Sequence, residues 1–176
     1  MKEFLYLKDG LRSLQPSTRF VYTLFLSFSL VSYGVMIALA AERSGFSPSS
    51  MSAYYSGGDG RYAKTAGELL EVTHFHLFSM PLLLFVQGHL FLMTRWPRGL
   101  KLALVIAAFA GCVLDIAAPW LVVYVSPDLA FVKLLARVLL GPALVAFALV
   151  PLYEMWWARD AGGRSARTNG SGSVEN

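Results

Sequence analysis

Four long apolar stretches dominate the chain and restrict what it can fold into. They cover approximately residues 20–41, 72–94, 102–124 and 130–157. Each reaches or exceeds the roughly 20 residues that a helix needs to cross about 30 Å of hydrocarbon. None alternates apolar with polar residues at a period of two, as the strands of a membrane barrel do. The sequence therefore predicts an all-α fold, an integral membrane bundle of four helices.

Composition agrees with this class. Of 176 residues, 56% are hydrophobic and 15% are charged, against about 25% charged in an ordinary soluble domain. The first apolar stretch exceeds the h-region of a signal peptide, so we expect it to be retained. We expect an N-terminal cytoplasmic segment over 1–18 and a transmembrane domain over 19–158 with an outer loop at 43–71. Residues 159–176 are mostly Gly, Ser, Arg and Asn, and this composition predicts a disordered cytoplasmic tail.

Lys and Arg are distributed unequally between the two sides of the predicted bundle. Ten of them flank the ends on the side of the termini, whereas the 43–71 loop has three. The excess of basic residues marks the cytoplasmic side, so both termini are predicted to be cytoplasmic in a multi-pass protein of the cell (inner) membrane. Since orientation explains the net charge of +4, no nucleic-acid partner is needed.

The second apolar stretch contains all three histidines, at His74, His76 and His89, together with Glu71. Ionisable groups in hydrocarbon are costly and usually mark a functional site. His74 and His89 lie about 60° apart around a helix and roughly 22 Å apart along it, whereas His76 points to a different side. The three histidines are therefore candidate cofactor ligands. The simpler alternative is that His89 is a packing residue and that the other two lie at the membrane surface.

Glu71 and His74 also form a Glu-x-x-His pair, which places both side chains on one helix face. Pairs of this kind bind metal ions in helical bundles. The spacing therefore makes Glu71 and His74 candidate metal ligands.

The histidine spacing resembles that of the membrane cytochrome b proteins of respiratory and photosynthetic complexes. The resemblance covers one helix, through His74 or His76 together with His89 and the small residue Gly88. It implies haem b as cofactor, and the alternative is another metal held by Glu71 and His74. The chain departs from that pattern because it has no fourth histidine, so Met36, Met155 or a second subunit would have to complete a haem site.

Asp115 lies well inside the third apolar stretch, and Lys133 and Arg137 open the fourth. Pro119 follows Asp115 by four residues and has no N–H, so the Asp115 carbonyl loses its usual helical donor. Lys133 and Arg137 are four residues apart and share a helix face. We predict an Asp115–Arg137 ion pair that keeps both charges buried.

We predict one polar site in the outer leaflet, formed by Glu71, His74, His76, Asp115, Lys133 and Arg137. Glu71 and Asp115 are the candidate acid–base residues for quinol oxidation, and Lys133 and Arg137 are candidates for a ligand contact or an ion pair. The leading hypothesis is an electron-transfer or quinone- and haem-interacting subunit of a respiratory-type complex. Its candidate partners are the lipid bilayer, a quinone, and a redox subunit or a second copy of the chain. The alternative is a non-catalytic membrane scaffold or assembly subunit whose buried charges are structural.

Overall fold

The computed structural model of the chain describes residues 10–58 and 60–158. Four of its α-helices are long and apolar enough to cross a membrane, which confirms the predicted all-α bundle. These helices are α1 (Pro16–Arg43), α3 (Ala66–Leu92), α4 (Arg98–Tyr124) and α5 (Ala130–Trp156), and a shorter helix, α2 (Pro48–Ser56), lies between the first two.

The four long helices are joined at two opposite ends of the bundle. We call the end that contains residues 44–65 and 125–129 the loop end, and the end that contains residues 10–15, 93–97 and 157–158 the terminal end. At Gly111, α4 packs very closely on α5, since a Cβ built there would lie 3.0 Å from the Leu140 nitrogen and 3.1 Å from the Ala136 carbonyl oxygen. Small residues permit such close approach of helix backbones in membranes.

The bundle core is formed by side chains from all four long helices. Phe91 of α3 and Phe147 of α5 are fully buried, and their ring centroids are 4.9 Å apart. The core also contains a polar pair, because the Tyr33 hydroxyl donates a hydrogen bond to Oε1 of the fully buried Gln87. This bond ties α1 to α3, so the core is not held by apolar packing alone.

Several basic residues at the terminal end bind carbonyl groups at the ends of helices. Arg12 donates to the Ala158 carbonyl, and Arg19 donates to the Met155 carbonyl at 2.6 Å. Lys101 donates to the carbonyl of Leu92, the last residue of α3, at 2.7 Å. Cations near helix C-termini are favourable because the last carbonyls have no intrahelical donor. These residues therefore stabilise helix ends, in addition to any effect on orientation.

The segment predicted as an outer loop contains the extra helix α2. Ser47 caps it, because its hydroxyl accepts from the Ser50 backbone N–H at 3.1 Å, and Pro48 occupies the first turn. Both are ordinary signals of a helix start, although the helix is only nine residues long. Near the N-terminus, a short 3-10 helix covers Gly10–Ser13. Residues 1–9 and the predicted disordered tail at 159–176 lie outside the described residues.

Candidate functional site

The central feature of the loop end is a salt bridge between α4 and α5. The Lys133 ammonium lies 2.8 Å from a carboxylate oxygen of Asp115, and the two side chains are 11% and 14% exposed. The same ammonium also donates to the backbone carbonyl of Asp115 at 2.9 Å. Lys133 therefore balances the charge of the Asp115 carboxylate and also donates a hydrogen bond to the Asp115 backbone carbonyl.

Pro119 explains the second of these contacts. In a regular helix the N–H of residue 119 would donate to the Asp115 carbonyl, and proline has no N–H. The sequence predicts this unpaired carbonyl, and the structure assigns it a donor, the Lys133 ammonium. A buried carbonyl without a donor would cost about 1–3 kcal/mol.

The predicted Asp115–Arg137 pair is wrong, because Lys133 is the cation that contacts Asp115. Arg137 instead donates to the Gly45 carbonyl at 2.6 Å and to the Ser44 hydroxyl at 2.8 Å. These two residues follow directly after α1, where Gly45 has φ +63°. Arg137 lies one helical turn further along α5 than Lys133, and it therefore reaches the end of α1.

Helix α2 covers the loop end of the α4–α5 pair. Met51 is fully buried against Val122 and Ala130, and Ser56 donates to the Val122 carbonyl at 3.3 Å.

Tyr55 of α2 lies close enough to Asp115 and Arg137 for their charges to act on its phenol. Its burial, and next the negative charge of Asp115, raise the pKa of the Tyr55 phenol well above its ordinary value, while Arg137 opposes the rise. The Tyr55 phenol therefore stays protonated to higher pH than an ordinary tyrosine.

None of the three histidines of α3 is buried in the bundle core. His74 and His89 are exposed, and their rings contact Phe75 and Phe85 of the same helix. His76 is half-buried, and its Nδ1 lies 2.8 Å from the carbonyl of Val72, one turn earlier in α3. The bond gives His76 a local structural role on its own helix.

Glu71 is exposed on α3. Within the described residues, no hydrogen bond or ion pair joins Glu71 or His74 to Asp115, Lys133 or Arg137. The predicted convergence of all these residues on one site is therefore not observed. The structure instead places the Asp115–Lys133 pair and Arg137 at the loop end, and a separate set of ionisable residues on the outward side of α3.

The arrangement of donors limits the metal and haem hypotheses. Across the described ranges, no three His, Cys, Asp or Glu side chains come together in a way that could hold a metal ion. Met155 is 1% exposed in the core, and Met36 is 42% exposed on α1. His74 and His89 each offer one outward imidazole, so a two-ligand haem site on this face would need its second ligand from another chain.

An apolar groove lies between the loop-end halves of α3 and α4. It has a volume of about 420 Å³ and is lined by Leu77 of α3 and by Val113 and Ile116 of α4, among others. Trp120 and Thr73 also line it, and the indole N–H donates to the threonine hydroxyl at 2.9 Å. The groove offers almost no polar surface, so it suits a hydrocarbon chain and does not fix a polar headgroup.

Sequence reasoning missed the contacts made by the segment that follows α1 and one contact within the core. Ser44, Gly45 and Tyr55 lie in the segment interpreted as a loop, and no role is predicted for Gln87. The Ser47-Pro48 start signal predicts α2 and could have drawn attention to Tyr55. We know of no local signal that pairs Gln87 with Tyr33, since the two are 54 residues apart in sequence.

Comparison with known proteins agrees with the membrane class. Residues 45–162 match the Aq_1264_TM family, which is described as a transmembrane helical domain. The chain belongs to this family. The match covers α2 to α5, and the family's description does not support the resemblance to b-type cytochromes. No curated protein and no solved structure matches the chain.

Proposed function

We propose that the chain is a non-catalytic membrane subunit that presents the outward side of α3 to another protein within the bilayer. The supporting observation is the contrast between two sets of ionisable residues. Asp115 and Lys133 neutralise each other inside the bundle, which fits a structural role. Glu71, His74 and His89 are exposed on a helix that crosses the membrane.

The depth of His74 makes this exposure costly in lipid. Helix α3 has 27 residues and its midpoint is Ser79, so His74 lies about 7.5 Å and Glu71 about 12 Å from the midpoint along the axis. Both distances are smaller than the half-thickness of the hydrocarbon core, about 15 Å. Polar groups at this depth normally face protein or a water-filled cavity. A partner protein on this side would shield both residues from lipid.

The other spanning helices support the contrast. Among the described residues, α3 is the one spanning helix that exposes Asp, Glu, His, Lys or Arg side chains within about 15 Å of its midpoint. The outward side of α1 has large apolar residues, with Phe28 at 73% exposure. Such a surface is suited to contact with lipid. The outward side of α1 can therefore serve as the lipid-facing control for the outward side of α3.

Photo-crosslinking in native membranes tests this function. A photoreactive phenylalanine analogue would replace Phe78 of α3, which is 76% exposed, or Phe28 of α1, which is 73% exposed. The two sites are matched in residue type, exposure and depth. We expect protein adducts from the Phe78 position and lipid adducts from the Phe28 position. Protein adducts no more frequent at Phe78 than at Phe28 would overturn the proposal.

An electron-transfer subunit is the second candidate function. It is favoured by the two outward imidazoles of His74 and His89 on one helix, and by the apolar groove, which suits a quinone tail. The pairing of Asp115 with Lys133 argues against Asp115 as a free base for quinol oxidation. The test is a visible spectrum of the protein purified with its partners. A Soret band lost in His74→Ala and His89→Ala supports this function, and a colourless complex excludes its haem form.

We also propose that the protein lies in the cell membrane with both termini in the cytoplasm. The support is the excess of basic residues at the terminal end, where Arg12, Arg19, Arg95, Arg98 and Lys101 lie.

A further inference from the structure

We propose that the partner at the α3 surface is a second copy of this chain, packed in parallel about a two-fold axis along the membrane normal. This inference rests on the function proposed above and names its partner. Its basis is the pattern of exposed residues along α3 and the combination of charges within that pattern.

The exposed residues of α3 follow the spacing of a helix-pairing seam. Steps of four and three residues alternate along it without interruption. The seam consists of Glu71, Phe75, Phe78, Leu82, Phe85, His89 and Leu92. All seven are exposed, and the five apolar members range from 44% to 76% exposure. This spacing keeps one side of a helix against a neighbouring helix at a crossing angle of about 20°.

The polar groups on this surface are complementary, because a carboxylate accepts hydrogen bonds and an imidazole N–H donates one. Glu71 belongs to the seam, and His74 flanks it one turn away on the exposed side. In a two-fold interface, a contact made by residue i with residue j is repeated by residue j with residue i. The Glu71 carboxylate of one copy then meets the His74 imidazole of the other, twice. The second copy therefore supplies both residues with a polar partner that their own chain does not provide.

Parallel packing follows from membrane insertion. The same distribution of basic residues orients every copy of the chain in the same way, so two copies meet at equal depths. Glu71 and His74 of one copy then lie level with the same residues of the other. A rotation about an axis in the membrane plane would place Glu71 opposite the terminal end, away from His74.

Cysteine crosslinking between differently tagged copies tests the pairing. In a Cys112→Ala background, single cysteines would replace Phe78 in the seam, Leu77 beside it, or Phe28 on α1. Leu77 is 59% exposed and lies at the same depth, but about 100° away around the helix. We expect dimers that contain both tags for Phe78→Cys, at several times the yield for Leu77→Cys and Phe28→Cys. Equal yields at Phe78 and Leu77 would overturn the proposal.

Charge variants test the Glu71–His74 contact in the Phe78→Cys background. His74→Glu places four carboxylates at the interface and should lower the crosslinked fraction several-fold. The double exchange Glu71→His with His74→Glu restores two carboxylates and two imidazoles, so the crosslinked fraction should recover. A monodisperse elution profile of each variant controls for folding. Failure of the double exchange to recover, in a folded variant, would overturn the contact.

The two proposals fail in different ways. An adduct between the Phe78 position and a different protein, without mixed-tag dimers, overturns the second-copy inference and leaves the assembly function standing. Absence of any protein adduct at Phe78 overturns both.

Discussion

Lys133 contacts Asp115 twice, through the carboxylate at 2.8 Å and through the backbone carbonyl at 2.9 Å. The first contact balances a charge, and the second replaces the N–H that Pro119 lacks. One ammonium group thus balances the charge of the Asp115 carboxylate and also supplies the hydrogen bond that its carbonyl lacks within the helix. This double role explains why a lysine is well placed here: an ammonium has three donors on a flexible stem.

Removal of one member of this pair should cost more than removal of both. Asp115→Asn or Lys133→Met alone leaves a buried charge unpaired, and we expect each to lower stability by about 3 kcal/mol. The double variant leaves no charge and should recover the part of that loss that comes from the unpaired charge, while the Asp115 carbonyl still lacks its donor. Equilibrium unfolding in mixed detergent micelles measures these differences. Losses that simply add would contradict direct pairing.

The carbonyl contact predicts a coupling between Lys133 and Pro119. Pro119→Ala restores an N–H that can donate to the Asp115 carbonyl, so Lys133→Met should cost about 1 kcal/mol less in that background. Pro142→Ala, in α5, is the matched control, because it restores an N–H four residues from a different carbonyl. If both proline variants reduce the cost of Lys133→Met equally, the Asp115 carbonyl is not involved.

The long helices could be predicted from sequence because their length and hydropathy are set by the bilayer. Which of the two cations, Lys133 or Arg137, pairs with Asp115 could not be predicted from sequence. Both cations lie on the same side of α5, and the choice depends on which turn of α5 lies beside Asp115. The two helices are in close contact at Gly111, but a single sequence does not show which turn of α5 meets this glycine.

The orientation of α3 was also beyond sequence reasoning. A helix that is apolar on nearly every side gives no indication of which side faces its neighbours. Polar groups within the membrane usually face the bundle interior, which is why the sequence indicates the three histidines as candidate cofactor ligands. In the structure, the inward side of α3 is formed by residues such as Leu84, Gln87 and Phe91, which leaves His74 and His89 on the opposite side.

Arg137 should control the stability of the end of α1 and of the segment that follows it. Arg137→Met removes both donors to Gly45 and Ser44, and we expect cleavage by an added protease within residues 45–64 to become several-fold faster. Arg137→Lys should give an intermediate rate, because it retains a charge but loses the two-pronged geometry. Arg43→Met, an exposed arginine at the same end, is the control and should leave the rate unchanged.

The predicted orientation can be tested with two single cysteines in a Cys112→Ala background. Tyr62 is 95% exposed at the loop end, and a side chain added at Gly99, near the terminal end, would meet no atom within 4 Å. We expect an impermeant thiol reagent added outside intact cells to label Tyr62→Cys and to leave Gly99→Cys unlabelled until the membrane is permeabilised. The reverse labelling would show that the termini are outside.

The close contact between α4 and α5 predicts opposite effects for two glycine substitutions. A Cβ at Gly111 would lie 3.0 Å from a backbone nitrogen of α5, whereas a Cβ at Gly141 would meet nothing within 4 Å. Gly111→Ala should therefore separate the two helices and cost about 1–3 kcal/mol. Gly141→Ala should stabilise α5 by about 0.5–1 kcal/mol, because alanine loses less backbone freedom on folding. The unfolding free energies of both variants in the same micelles give the comparison, and equal effects would mean that α4 and α5 do not pack this closely. The separation should also lengthen the contact between Lys133 and Asp115, so Gly111→Ala should lower the cost of Lys133→Met.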